Sequence, residues 1–194
     1  MTPEGTIAVL WVAWLASWGI AAFWSNRTEK RGGMVAEIVF RILFWAGATL
    51  LLAPFRDPHR YAQVYFWHLN AALKWILVAL AASGFLFVRW ARIHLGRLWS
   101  DWLTKKAGHH VVATGPYLLV RHPIYSGLIF AALATAIEKG TSFALLGAAV
   151  LTFAFYTRAR REERFLRSEL GEDAYDAYAR QTAMLVPFAS RPPS

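Results

Sequence analysis

Cysteine is absent from the 194 residues, which excludes disulfides, thiolate zinc sites and a cysteine nucleophile together. Acidic residues are few, twelve Asp and Glu against twenty-one Lys and Arg. No strand pattern runs into a glycine-rich turn, so a Rossmann-type phosphate or nucleoside loop is missing too. The basic excess would suit nucleic acid, but the Lys and Arg residues flank apolar segments and build no continuous basic surface interleaved with aromatics. Nucleic acid is therefore not expected as a partner. No basic region precedes the first apolar segment and no small-residue cleavage pattern follows it, so that segment is expected to stay as a membrane helix.

What the chain has is apolar residues in long blocks. Residues 5–24 carry no charge over twenty positions, enough to cross a hydrocarbon core of about 30 Å at roughly 1.5 Å per residue. A second span is expected over 35–55, with Glu37 and Arg41 at helical spacing near its start as an interfacial pair. A third is expected over 67–88, with Lys74 snorkelling toward the outer interface. His59 and His68 read as interfacial, because neither has a second ligand at helical spacing. Residues 89–106 alternate Trp and Leu with Arg and Lys and predict a helical extension lying along the headgroups. The blocks 123–137 and 143–156 are short for full crossings of about 20 residues and predict a tight helical hairpin.

The fold class expected is all-α: a polytopic membrane protein of about five transmembrane helices, with a short hairpin and a cytoplasmic amphipathic C-terminal helix. Residues 1–194 form one integral membrane domain, in which 1–88 supply three helices and 89–194 the functional half. Charge orients it. With the N-terminus outside, the inner segments hold 16 of the 21 Lys and Arg, and the outer loops three.

Chemistry-bearing residues gather between His109 and Gly127, and a second group lies on the continuation of the fifth helix. Pro123 can open a helix, which puts His122 near unpaired amide donors that favour an anion. Tyr117 and Tyr125 offer aromatic faces. On the tail, steps of three and four from Phe155 place Arg158, Glu162, Phe165 and Leu166 on one side. Glu162 is thus expected to point inward and Glu163 to be a solvated partner of Arg167. Gly171 is expected to cap this helix. An inward carboxylate beside aromatic faces suits a zwitterionic cofactor with a positive centre.

The pattern G-P-Y-x-x-x-R-H-P-x-Y-x-G from Gly115 to Gly127 is followed by E-E-x-x-L at Glu162, Glu163 and Leu166. With Gly171, Tyr175, Tyr178 and Pro187 further on, it resembles the isoprenylcysteine carboxyl methyltransferase family and its phospholipid methyltransferase relatives. The resemblance implies S-adenosyl-L-methionine as cofactor and S-adenosyl-L-homocysteine as product, bound at the cytoplasmic face without metal. It implies cofactor contacts from His109, His110, Val111, Val112, Tyr117, His122, Pro123, Ile124, Tyr125 and Glu162. Arg158 is implied beside the methyl acceptor, a lipophilic molecule entering from the bilayer, with Arg158 and Glu162 the catalytic pair. A carboxylate of isoprenylcysteine type is the expected acceptor and the amine of phosphatidylethanolamine the alternative. Membrane sterol-type reductases share a similar region but read R-H-P-N-Y-x-G-E, where Ile124 and Leu128 stand here. A membrane anchor or transporter that kept the fold is the non-enzymatic alternative. The expected location is the inner membrane of a prokaryote, with the C-terminus cytoplasmic.

Overall fold

The structure is a computed structural model that describes residues 1–22, 28–31, 33–53, 64–96, 104–106, 112–170, 172–187 and 189. Among the described residues six α-helices make the body: α1 (Pro3–Ala22), α2 (Met34–Leu52), α3 (Ala71–Leu95), α4 (Pro123–Lys139), α5 (Ser142–Leu170) and α6 (Glu172–Gln181). Three of them are long and apolar enough to cross a membrane: Met34–Leu52, Ala71–Leu95 and, within α5, Ser142–Ser168. A short antiparallel ribbon pairs β1 (Thr28–Arg31) with β2 (Thr104–Lys106). It is a small departure from a purely helical chain.

The helices pair through glycine. In α3 and α4, a side-chain carbon at Gly84 would lie 2.8 Å from the Gly127 carbonyl, and one at Gly127 would lie 2.7 Å from that of Gly84. In α2 and α5, a carbon at Gly147 would come 2.5 Å from the Leu51 amide nitrogen. Apolar association between helices in lipid has no hydrophobic driving force, so close backbone approach and dispersion must supply it. α1 joins this core through aromatics. Trp11 packs edge-on against Phe85 at 5.0 Å, and its indole nitrogen donates to Thr135 Oγ1 at 3.1 Å.

Helix ends follow local chemistry. Asn70 caps α3, its Oδ1 accepting from the Leu73 amide at 2.9 Å. The helix stops at Leu95, where Gly96 takes φ 57° and its amide bonds back to Arg92 and Ile93. The expected helical extension over 89–106 therefore ends early. Its first residues, up to Leu95, are helical, residues 104–106 are strand, and residues 97–103 lie outside the described residues. The hairpin is longer than the apolar blocks suggested, 17 residues in α4 and 29 in α5. α5 runs on past the apolar block because its charged turns find partners on α2. The expected cap at Gly171 lies outside the described residues.

Lys74 does not simply reach for the interface. It pairs with Glu4 and approaches buried Glu138 at 3.3 Å. A cation between two carboxylates ties α1, α3 and α4 together at the end of the bundle that holds the α4–α5 turn.

Candidate functional site

At the opposite end, a 3-10 turn over Gly115–Leu118 leads into α4. Gly115 has φ 58°, and a side-chain carbon there would sit 2.7 Å from the His94 ring. His94 in turn hydrogen-bonds Thr114 Oγ1 at 2.8 Å and stacks on Tyr117. Tyr117 is buried, and its carbonyl accepts from the Tyr178 hydroxyl at 2.7 Å. Burial, with the charge of Glu162 second, pushes the Tyr117 phenol well above its usual range, so it stays neutral.

The chain then turns at Arg121 and His122, and the C-terminal segment lies alongside. The Arg121 amide donates to Ala183 O at 2.8 Å and the His122 amide to Met184 O at 3.1 Å. Ser126 Oγ donates to Leu185 O at 2.6 Å. Residues 183–185 are thus a strap along the start of α4. The Arg121 side chain spans the gap: Nε donates to Glu163 Oε1 at 2.6 Å, and Nη1 to Ala179 O at 3.0 Å and to Thr182 O.

His122 precedes α4, with Pro123 in its first turn and fully buried. Its ring is 6 % exposed and stacks on Tyr125 at 5.5 Å and 10°. Tyr125 stacks in turn on Phe155 at 5.4 Å. Each imidazole nitrogen meets a different carboxylate, Nδ1 at 3.7 Å from Glu162 Oε2 and Nε2 at 3.4 Å from Glu163 Oε1. The Tyr125 hydroxyl donates to Glu162 Oε2 at 2.8 Å and accepts from Arg158 Nε at 3.0 Å. One phenol oxygen therefore couples the two residues that helical phase had put on the inner side of α5.

Arg158 has a partner the sequence did not disclose. Its Nη1 donates to both carboxylate oxygens of Glu37 on α2, at 2.9 and 2.8 Å, and its guanidinium lies 4.2 Å over the Phe40 ring. Glu37 is 6 % exposed and still has Arg41 at 3.3 Å. The expected interfacial Glu37–Arg41 pair exists, but Glu37 also belongs to this site. A carboxylate inside an apolar helix was the available signal. Its partner, 121 residues away, was not legible.

Glu163 corrects the sequence reading outright. It faces Arg121 and His122 and is more buried than Glu162, its side chain 18 % exposed against 31 %. Arg167, its expected partner, pairs with Asp176 instead. Both glutamates line the site, from two sides of His122.

Of the other residues singled out, Ile124 packs against the apolar core and Val112 is half-buried ahead of the 3-10 turn. His109, His110 and Val111 lie outside the described residues. The arrangement offers a part-exposed carboxylate beside a run of aromatic faces, which can accept a cation. A few ångströms away, a guanidinium is held by a neutral phenol.

Residues 75–168 match the isoprenylcysteine carboxyl methyltransferase family. The chain is 32 % identical over 136 residues to the cobalt-zinc-cadmium resistance protein CzcN of Cupriavidus metallidurans, covering 65 % of this chain and 57 % of that protein. It is 31 % identical over 123 residues to the nickel-cobalt-cadmium resistance protein NccN of Alcaligenes xylosoxydans xylosoxydans, covering 58 % and 52 %. The chain thus spans about half the length of these relatives.

Proposed function

Because residues 75–168 match the isoprenylcysteine carboxyl methyltransferase family, we propose that the protein is a membrane methyltransferase using S-adenosyl-L-methionine on a lipophilic acceptor. The observation that carries the reading is the Glu162–Tyr125–Arg158 chain of hydrogen bonds, at 2.8 and 3.0 Å. It sets a site for a cation next to a site for an anion.

The residues present fit this cofactor. Glu162 is the more exposed carboxylate and receives the ammonium group, while the stacked rings of His122 and Tyr125 supply the aromatic face that a sulfonium prefers. Tyr117, Val112, Pro123 and Ile124, with His109, His110 and Val111, complete the contact set that the family resemblance implies. When bound, S-adenosyl-L-methionine supplies an activated methyl group on a good leaving group. The protein contributes alignment and dryness. Arg158 orients the acceptor carboxylate through charge-assisted hydrogen bonds, the Tyr125 hydroxyl fixes the guanidinium, and the Phe40 ring closes one side against water. Transfer to a carboxylate oxygen gives a methyl ester and S-adenosyl-L-homocysteine, with no proton to remove.

An apolar cleft of about 150 Å³ between α1 and α3, lined by Trp14, Trp18, Phe85 and Val88 with Arg89 and Arg92, supports an acceptor with an apolar tail arriving from the bilayer. We read the chain as crossing five times with the C-terminus cytoplasmic, adding α1 and α4 to the three long helices, in a bacterial inner membrane. The relatives are named for resistance to cobalt, zinc, cadmium and nickel. The reading rests on methyl transfer.

The test is incubation of the purified protein with methyl-labelled cofactor and total lipid extract. A base-labile label marks a methyl ester, and a stable one marks an amine and overturns the carboxylate. Glu162→Gln should weaken cofactor binding about tenfold, the effect of one charge-assisted contact worth roughly 1.4 kcal/mol. Wild-type protein that binds no cofactor ends the proposal.

A further inference from the structure

We propose that Glu37 is a specificity-determining gate: it occupies Arg158 as a stand-in for the acceptor's anionic group and withdraws onto Arg41 when that group arrives. The inference rests on the methyl-transfer reading for the identity of the acceptor, and on α2 for everything else. Glu37 lies outside the segment 75–168 that matches the family, so the likeness assigns it nothing.

The geometry of Arg158 divides into a fixed edge and an exchangeable one. Nε is held by the Tyr125 hydroxyl at 3.0 Å, and the guanidinium rests over Phe40 at 4.2 Å. Nη1 carries the whole contact to Glu37, 2.9 and 2.8 Å to its two oxygens. Replacing one carboxylate by another at Nη1 leaves the charge around Arg158 unchanged and its orientation intact. An uncharged group in the same place would not replace the charge that Glu37 gives up beside Arg158, which a buried ion tolerates poorly.

Glu37 has somewhere to go. Arg41 lies one turn along the same helix, with Nε 3.3 Å from Glu37 Oε1 and a side chain 40 % exposed. A small change of the Glu37 rotamer hands its charge from the buried Arg158 to the exposed Arg41, and at no stage is the carboxylate unpaired. Meanwhile Arg161 Nη1 donates to the Ala36 carbonyl at 2.7 Å and keeps this turn of α2 on α5. The side chain moves and the helix stays.

The experiment uses the full chain in lipid nanodiscs, with an S-farnesylated N-acetylcysteine as probe and its methyl ester as the uncharged control. Glu37→Gln removes the competing charge, so binding of the acid should tighten about fivefold relative to the ester, with a matching fall in acceptor KM. Arg41→Gln removes the parking place, so the acid should bind more weakly while the ester is unaffected. Acid and ester shifting together in Glu37→Gln, or no shift, overturns the gate. Should that variant fail to fold, an unchanged acid-to-ester ratio in Arg41→Gln overturns it equally. The two readings fail separately. Wild type that discriminates acid from ester in this pattern but binds no S-adenosyl-L-methionine keeps the gate and removes methyl transfer. Wild type that methylates the acid while both variants match it does the reverse.

Discussion

Three tyrosines around the C-terminal strap, Tyr117, Tyr175 and Tyr178, have phenols pushed upward chiefly by burial, with the Arg121 charge pulling partly the other way at Tyr175 and Tyr178. A phenol whose pKa rises on folding holds its proton more tightly in the folded chain. Below about pH 10 both states are protonated and nothing changes. Above it the unfolded chain ionises first, and stability falls as pH climbs toward the folded value. Tyr117→Phe should therefore move the onset of alkaline unfolding to higher pH, read as helical circular dichroism alongside phenolate absorbance. The residue scale also shows where helical phase succeeds and fails. Steps of three and four put Arg158 and Glu162 on one face, and the structure joins both to Tyr125. The same phase sent Glu163 to solvent. Neighbours on a helix differ by only about 100°, so a site wide enough to approach α5 from two sides takes both. The cation that draws Glu163 in, Arg121, lies on a turn before another helix, where periodicity within the tail has no view of it.

At the scale of the element, the bundle depends on two places where helix backbones nearly touch. A methyl group at Gly127 would meet the Gly84 carbonyl and Val88 Cγ2, both at 2.7 Å. Neither is the far end of a flexible chain, so α3 and α4 must separate. Gly127→Ala should cost about 1–3 kcal/mol, the usual range for overpacking, seen as a lower thermal midpoint in detergent. Cofactor affinity should fall with it, because α4 carries His122 and Tyr125 at its start. The apolar blocks were legible as helices because their composition admits little else. Their pairing was not, because glycine in a membrane segment looks the same whether it faces lipid or another helix. The stop at Gly96 was hidden similarly: the basic and aromatic pattern runs straight across it, while its positive-φ backbone ends α3 and residues 104–106 are strand.

For the whole molecule, the proposed orientation can be read directly because the chain has no cysteine of its own. Single cysteines at Thr2 and at Ser168, both exposed positions, give probes without background. A membrane-impermeant maleimide added to intact cells should label the first and spare the second, and labelling of Ser168→Cys from outside would reverse the topology. Charge asymmetry carried that expectation because it sums over many residues and survives error in any one helix. The site was legible only in part for the opposite reason. Its local half sits within one motif, while Glu37, Arg158 and the strap come from three distant parts of the chain.

The strap has a consequence for how the protein matures. The three membrane-length helices precede residues 179–185, whose carbonyls receive the Arg121 side chain, the Arg121 and His122 amides and Ser126 Oγ. Insertion into the bilayer can thus finish while the amides beside His122 are still open to water. In the proposed topology and function, binding competence then waits on the strap docking from the aqueous side. A newly inserted copy is a membrane protein before it is a receptor for anything, and the interval between those two states is where proteolytic surveillance can tell a finished chain from an unfinished one.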